Sequence, residues 1–343
     1  MNRRFAVRAL LVTLALCSVA IPAAFAAKIG PGISTGNGTV FLPNPVADLQ
    51  DQSLTDRKDA DYAALQPAYH DVALTNLDGS GFLRGDWANV RSSTGPLAFS
   101  TSNTFQYNRH DDRFEQVMAY YWVTEAQRYI QDLGFGTTLR PINKESQDVR
   151  INQIGIDNSF SWDKHDLLRF GKGGVDDAED AEVILHEYGH AIQDSQQPSG
   201  VGFGTSVQAG SIGEGFADYW AVTVSDVIAP TPDPACVADW DSVSYTSTIP
   251  HCLRRVDRNL HYPGDLNGAV HHDGQIWSRA LWDIRQALGH VKADTIILEA
   301  QFDFAPDTTM PAAAAATVAA AQDLYGNAEK NAVETAFQNR GIL

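Results

Sequence analysis

Residues 186–190 read His186-Glu187-Tyr188-Gly189-His190, and this pentapeptide restricts the fold more than any other stretch of the chain. Histidines four positions apart stand one turn above each other on a helix, so both imidazoles reach one point only if the segment is helical. Two imidazoles aimed at one point are donors for a transition metal, zinc above all, and Glu187 is placed to take a proton from water held there. Any fold must therefore supply a helix here, a further ligand from elsewhere, and a cleft that admits water and substrate.

A catalytic zinc usually takes three protein ligands and leaves one position for water. Glu214, in Gly213-Glu214-Gly215-Phe216-Ala217-Asp218, is the candidate third ligand, because the 24 positions after His190 allow a return loop and a second helix. Asp218 lies one turn further on the same face. It is either an ordinary helix-surface carboxylate or the acceptor for the second ring nitrogen of a ligand histidine, the bond that sets tautomer and orientation. On this reading zinc lowers the pKa of water towards about 7, Glu187 takes the proton and gives it to the leaving amine, and a further donor stabilises the oxyanion. His271, in Val270-His271-His272-Asp273-Gly274, is the candidate donor, with His272 as its rival.

Residues 1–26 read as an export signal: Arg3, Arg4 and Arg8 precede an apolar run from Ala9 to Ile21, then Pro22 and the small-residue site Ala24-Phe25-Ala26. The run is too short and wrongly flanked for a membrane span, and no other segment is long and apolar enough for one. Leu16 before Cys17 argues against a lipoprotein anchor. About 317 residues then remain, enough for one large domain or two ordinary ones. The formal charge of −17 falls to about −20 without the three arginines, which makes nucleic acid and anionic membranes poor partners. Calcium stays open with no ligands assigned, since acids at a helix start answer to the helix dipole and Asp78-Gly79-Ser80-Gly81 lacks EF-hand spacing. Cys236 and Cys252, 16 positions apart, form a disulfide in an oxidising compartment or stand as two free thiols.

The stretch 27–66 is rich in Gly, Pro, Asn and Asp and reads as an extended arm or short pro-segment. Short strand-like runs follow, at Asp71–Leu74 and Thr104–Tyr107, with others at Arg150–Ile156 and Leu167–Phe170. Phe114–Leu133 carries a helical apolar stripe stopped by Gly134. Asp176, Asp177, Glu179 and Asp180 suit the first turn of the helix that carries the histidines. Further helices are expected at Ile212–Val227, His272–Leu288, Ala293–Gln301 and Ala312–Tyr325.

Several segments together resemble the thermolysin-like zinc metallopeptidases whose third ligand is glutamate, the fungalysin family most of all. Asn158-Ser159-Phe160 is similar to that group's Asn-Ala-Phe segment, whose edge strand pairs with substrate backbone. Phe170-Gly171-Lys172-Gly173 looks like the strand end before the zinc helix, and Glu214-Gly215-Phe216-Ala217-Asp218 is similar to the family's Glu-Gly-Trp-Ser-Asp. Val270-His271 with Gly274 and Trp277 resembles the segment with the intermediate-stabilising histidine, which favours His271 over His272. Arg254-Arg255 looks like a family arginine pair, which implies a substrate-carbonyl role for one of them against the ordinary reading of two solvated arginines. Departures are Gln275 where fungalysins carry glutamate, Ser159 for alanine, and the missing long inhibitory propeptide.

The resemblance implies an α+β, two-lobed zincin fold: a β-rich amino-terminal lobe over 67–195 that ends in the zinc helix, and a mainly helical lobe over 196–343. The expected function is a secreted, extracellular or periplasmic, monomeric zinc endopeptidase acting on peptide or protein substrates. It would hold one zinc on His186, His190 and Glu214, with Glu187 and His271 catalytic and Asp218 behind His186. Asn158, Ser159, Arg254, Arg255 and Val183 would bind substrate. Val183 would line a pocket that, as the resemblance implies, prefers an apolar residue on the amine side of the cut bond. Alternatives are a weakly active or inactive zinc-bound binding protein on the same fold, or a zinc aminopeptidase.

Overall fold

The computed structural model describes residues 34–343 apart from 92–93, 163–164, 166 and 199–200, so the expected export signal lies outside the described residues. Along the chain come β1 (Ser34–Val40), the short helix α1 (Pro45–Leu49), β2 (His70–Leu77), β3 (Ala88–Val90), β4 (Thr104–Phe105) and the long helix α2 (Arg113–Asp132). Then follow β5 (Gln147–Ile154), β6 (Phe160–Trp162), β7 (Leu167–Gly171) and the helix α3 (Ala181–Ser195), which carries both motif histidines. Beyond it lie α4 (Val207–Ile228), a small pair β8 (Cys236–Val237) and β9 (Arg254–Arg255), and α5 (Val270–Leu288), α6 (His290–Ala300), α7 (Met310–Tyr325) and α8 (Asn327–Asn339). The amino-terminal region thus contains the larger sheets, the carboxyl-terminal region is helical, and α3 lies between them.

One sheet has the order β2-β1-β4, and the other the order β3-β5-β7-β6, with β3, β5 and β7 parallel and β6 antiparallel on the edge. Helix α2 shows the expected stripe and more: Phe114, Val117, Met118, Trp122, Ala126 and Ile130 are fully buried, as are Tyr120 and Val123. It packs against β1 on one side and α3 on another.

Two expectations need correction. The stretch expected to be an arm is, from Ser34 on, part of the lobe: β1 is the central strand of its sheet, and Val46, Leu54 and Leu65 close a small core with Val175 and Trp240. Its Gly- and Asn-rich sequence shows no apolar period because pairing on both edges holds the strand. The acids before α3 are not an exposed first turn either. Asp177–Glu179 form a 3-10 turn, and Asp180 caps the helix by accepting the Glu182 N–H at 2.9 Å. Glu179 is buried against the Arg109 guanidinium at 2.8 Å and accepts the Trp240 indole N–H at 2.9 Å. The expected helix Ala312–Tyr325 is α7, and a further helix, α8, follows Gly326, whose φ of 95° disfavours a residue with a Cβ.

The helices around α3 meet at residues without side chains. A Cβ on Gly189 would lie 3.0 Å from the Ala217 Cα, so α3 and α4 touch backbone to backbone there. A Cβ on Gly215 would collide with the Gly274 carbonyl oxygen, which brings α4 equally close to α5. Gly215→Ala is therefore expected to force α4 and α5 apart at a cost of about 1–3 kcal/mol. Chemical denaturation checks this, and an unchanged midpoint would show that the helices are not in such contact.

Candidate active site

Close helix approach brings three side chains to one place. The Glu214 Oε2 atom, from α4, lies 3.3 Å from His186 Nε2 and 3.8 Å from His190 Nε2, both from α3. Donor atoms of the three residues all fall within 4.8 Å of one another. The two rings stand 4.9 Å apart at 84°, so their nitrogens converge while their faces do not stack. Glu214 Oε2 is buried yet has no hydrogen-bond partner of proper geometry among the described residues. Two imidazoles and a carboxylate oxygen without such a partner, converging on one point, fit a tetrahedral divalent ion in chemistry and in placement.

Asp218, one turn beyond Glu214, is tied to this group from behind. Arg254 donates to both of its oxygens at 2.7 Å, and His186 Nδ1 lies 2.9 Å from Oδ1. A carboxylate held ionised by Arg254 can only accept, so Nδ1 carries a proton and Nε2 faces Glu214. Burial would raise the Asp218 and Glu214 carboxyls, but Arg254 on the first and His186 on both outweigh it and hold them well below their usual range. Burial also opposes charge on His186, yet the neighbouring Asp218 and Glu214 carboxylates raise its pKa to about 10. Burial lowers His190 to about 4. The proton on His186 stands where a divalent cation would offset the same negative charge.

Glu187 is buried, and burial raises its carboxyl to about 7 against the pull of His186 and a backbone hydrogen bond from Ser161. It lines two chambers that meet at the histidines. The larger, about 380 Å³, runs past Phe160, Ser161, His190, Gly213 and Phe203. The smaller, about 90 Å³, is lined by Val183, Leu253 and Arg254 among others. Asn158, Ser159 and His271 line both. His271 lies at an exposed position, with Nε2 3.2 Å from Glu214 Oε2, and the buried Gln275 Nε2 lies 3.5 Å from its carbonyl oxygen. His272 is held by Asp273 at 3.1 Å and does not line either chamber.

Arg255 does not reach the site, contrary to its expected substrate role. Successive residues of β9 point to opposite faces: Arg254 turns inward to Asp218, and Arg255 turns outward to Asp233 at 2.7 Å and Asp257 at 2.8 Å. Cys236 and Cys252 are joined in a disulfide with Cα atoms 5.3 Å apart. Two acids of the smaller chamber escaped the sequence reading. Asp177 belonged to a run of acids that the helix dipole seemed to explain, and Asp241 lies in a loop without periodicity; both line the smaller chamber. Two other acids near the start of α3 take protein donors: Asp180 accepts the N–H groups of Glu182, Trp240 and Asp241, and Glu182 accepts Ser225 Oγ–H and Ala238 N–H.

Comparison with known proteins bears on the fold and the family. Residues 202–342 match the family described as thermolysin metallopeptidase, alpha-helical domain. The chain is 27% identical over 205 residues to a gelatinase of Enterococcus faecalis, covering 54% of this chain and 38% of that protein. It is 24% identical over 199 residues to the extracellular metalloproteinase MEP of Pyricularia oryzae, covering 49% of this chain and 31% of that protein. It therefore spans about a third of the length of these curated relatives. Among solved structures, the precursor of protealysin, a metalloproteinase from Serratia proteamaculans, superposes with a TM-score of 0.57 at 17% identity, over 75% of this chain and 88% of that one. Residues 202–342 thus resemble the helical domain of the thermolysin-like metallopeptidases, and the chain shares its fold with the protealysin precursor.

Proposed function

We propose that the chain is an exported zinc endopeptidase, with His186, His190 and Glu214 as the metal ligands. The observation that carries this reading is the convergence of those three donors beside the buried Glu187, at the meeting point of two chambers. Zinc, when bound, supplies the Lewis acidity that makes water nucleophilic near neutral pH and polarises the scissile carbonyl. The chain's own residues do the rest. Glu187 accepts the proton from the attacking water and delivers it to the leaving amine. His271 donates to the oxyanion that develops on the carbonyl, and its place at the rim of both chambers suits that task. Asp218, pinned by Arg254, keeps the His186 ring turned so that Nε2 faces the metal position. Strand β6, on the open edge of its sheet, offers the extended substrate backbone groups to pair with. Val183 and Asn158 flank the bound peptide. The amino-terminal Arg residues and apolar run direct export, in keeping with relatives named as extracellular or as a gelatinase.

Glu187→Gln is expected to keep an equimolar zinc content and to lose about 10²–10⁴-fold in kcat/KM on a blocked peptide. Metal analysis beside a casein or peptide assay checks both, and an unchanged rate would favour the zinc-bound binding protein instead. Equal cleavage of peptides with free and blocked amino termini is expected, whereas cleavage of free termini alone would mark an aminopeptidase. Asp218→Asn should weaken zinc about 10–100-fold, measured by competition with a chromophoric chelator. Unaltered affinity would remove Asp218 from any role in orienting His186.

A further inference from the structure

The smaller chamber has a wall of acids. Asp157, Asp177 and Asp241 each offer an oxygen within 4.8 Å of the other two. Asp177 is 3% exposed and Asp241 4%. Both line the chamber, and the Oδ1 atom of each has no hydrogen-bond partner among the described residues. What partners they have are neutral: Ser159 donates to the other oxygen of Asp177, the Gly171 backbone also bonds to Asp177, and Tyr245 donates to Asp157 at 2.6 Å. No ion pair among the described residues includes any of the three. Arg254, which lines the same chamber, is committed to Asp218 through two bonds of 2.7 Å.

Buried carboxylates without a counter-charge are costly unless something arrives to pair them. Nearby, Glu179 pairs with the Arg109 guanidinium at 2.8 Å, and Asp180 accepts three backbone N–H groups. Burial pushes the Asp177 carboxyl up to about 7 and raises Asp241 as well, which marks both as short of a positive partner. We propose that this chamber takes the cationic side chain of a lysine or arginine on the amine side of the cut bond, with Asp177 and Asp241 as the specificity-determining carboxylates. The assignment rests on the peptidase reading and departs from the apolar preference that the family resemblance implies. Val183 and Leu253, which also line the chamber, give the methylene stem apolar surface to lie on, while the acids meet its charged end. The chamber borders Glu187 and His186, so its occupant is set by the substrate that reaches them.

Peptides blocked at both ends, identical except for lysine or its neutral isostere norleucine after the cut bond, test this on the full chain. Lysine is expected to be favoured by about tenfold or more in kcat/KM. Asp241→Asn and Asp177→Asn should each draw the lysine-to-norleucine ratio towards one. The ratio in the unaltered protein tests the idea even if a variant fails to fold. Preference for norleucine overturns the assignment and leaves the peptidase reading standing. Cleavage of neither peptide by zinc-loaded protein sinks the peptidase reading and the assignment with it. Calcium bound stoichiometrically in addition to zinc, lost in Asp241→Asn and accompanied by no lysine preference, shows that the acids hold a metal and also overturns the assignment.

Discussion

The site depends on helices packed at a distance that most side chains would forbid. Glu214 is 24 residues beyond His190 and belongs to a different helix, yet its Oε2 atom lies within 4 Å of both motif histidines. That reach is allowed because Gly189, inside the motif itself, faces Ala217 with no Cβ between the backbones. Tyr188 points elsewhere from the same turn: it is fully buried and donates its hydroxyl to Gln127 of α2 at 2.7 Å. The pentapeptide thus encodes paired imidazoles, a buried carboxylate and packing at once. One face supplies imidazoles, the next lets α4 approach, and another anchors α3 to the amino-terminal lobe.

Two buried charge clusters near one another follow different rules. Around Asp218 the charges are matched, since a guanidinium and an imidazole both bond to it, and the result is a fixed ring orientation. Around Asp177 and Asp241 the charges are unmatched, and the groups face a chamber instead of protein. Desolvated groups left in the second condition reduce stability, which is a common mark of residues kept for what they bind. Burial alone does not separate the two cases, because Asp218, Asp177 and Asp241 are all nearly inaccessible. The partner inventory does.

Much of this was legible in the sequence, and what was not has a physical reason. The four-residue spacing of His186 and His190 and the stripe of α2 are local periodicities, so they forecast helices that the structure contains. Asp218 could be placed one turn from Glu214 by the same arithmetic, although its bond to Arg254 could not. Strand β1 carries no period of its own, because neighbours more than thirty residues away on one side and more than sixty on the other define it. The two arginines of β9 had to face opposite ways, but which one faced inward depends on pairing Val237 with Arg254 and Cys236 with Arg255. Asp177 had a sufficient local explanation as a helix-start acid, and only three-dimensional proximity to Asp241, 64 positions later, gives it another.

The pairing between β8 and β9 links Cys236 and Cys252 to the site. The disulfide from Cys236 to Cys252 closes a 16-residue separation, a constraint on the unfolded chain of about 3 kcal/mol in the loop-entropy picture. The closed loop carries Asp241 and Tyr245, and its end leads directly into Arg254. Closing the loop therefore positions the acidic wall of the small chamber and the guanidinium behind His186 with one covalent bond. An oxidising compartment, which the amino-terminal Arg-rich and apolar segment is proposed to reach, is where that bond persists. Under the proposed function, export, loop closure and the orientation of the His186 imidazole are in this way successive links of one physical chain, from the signal-like residues to His186 Nε2.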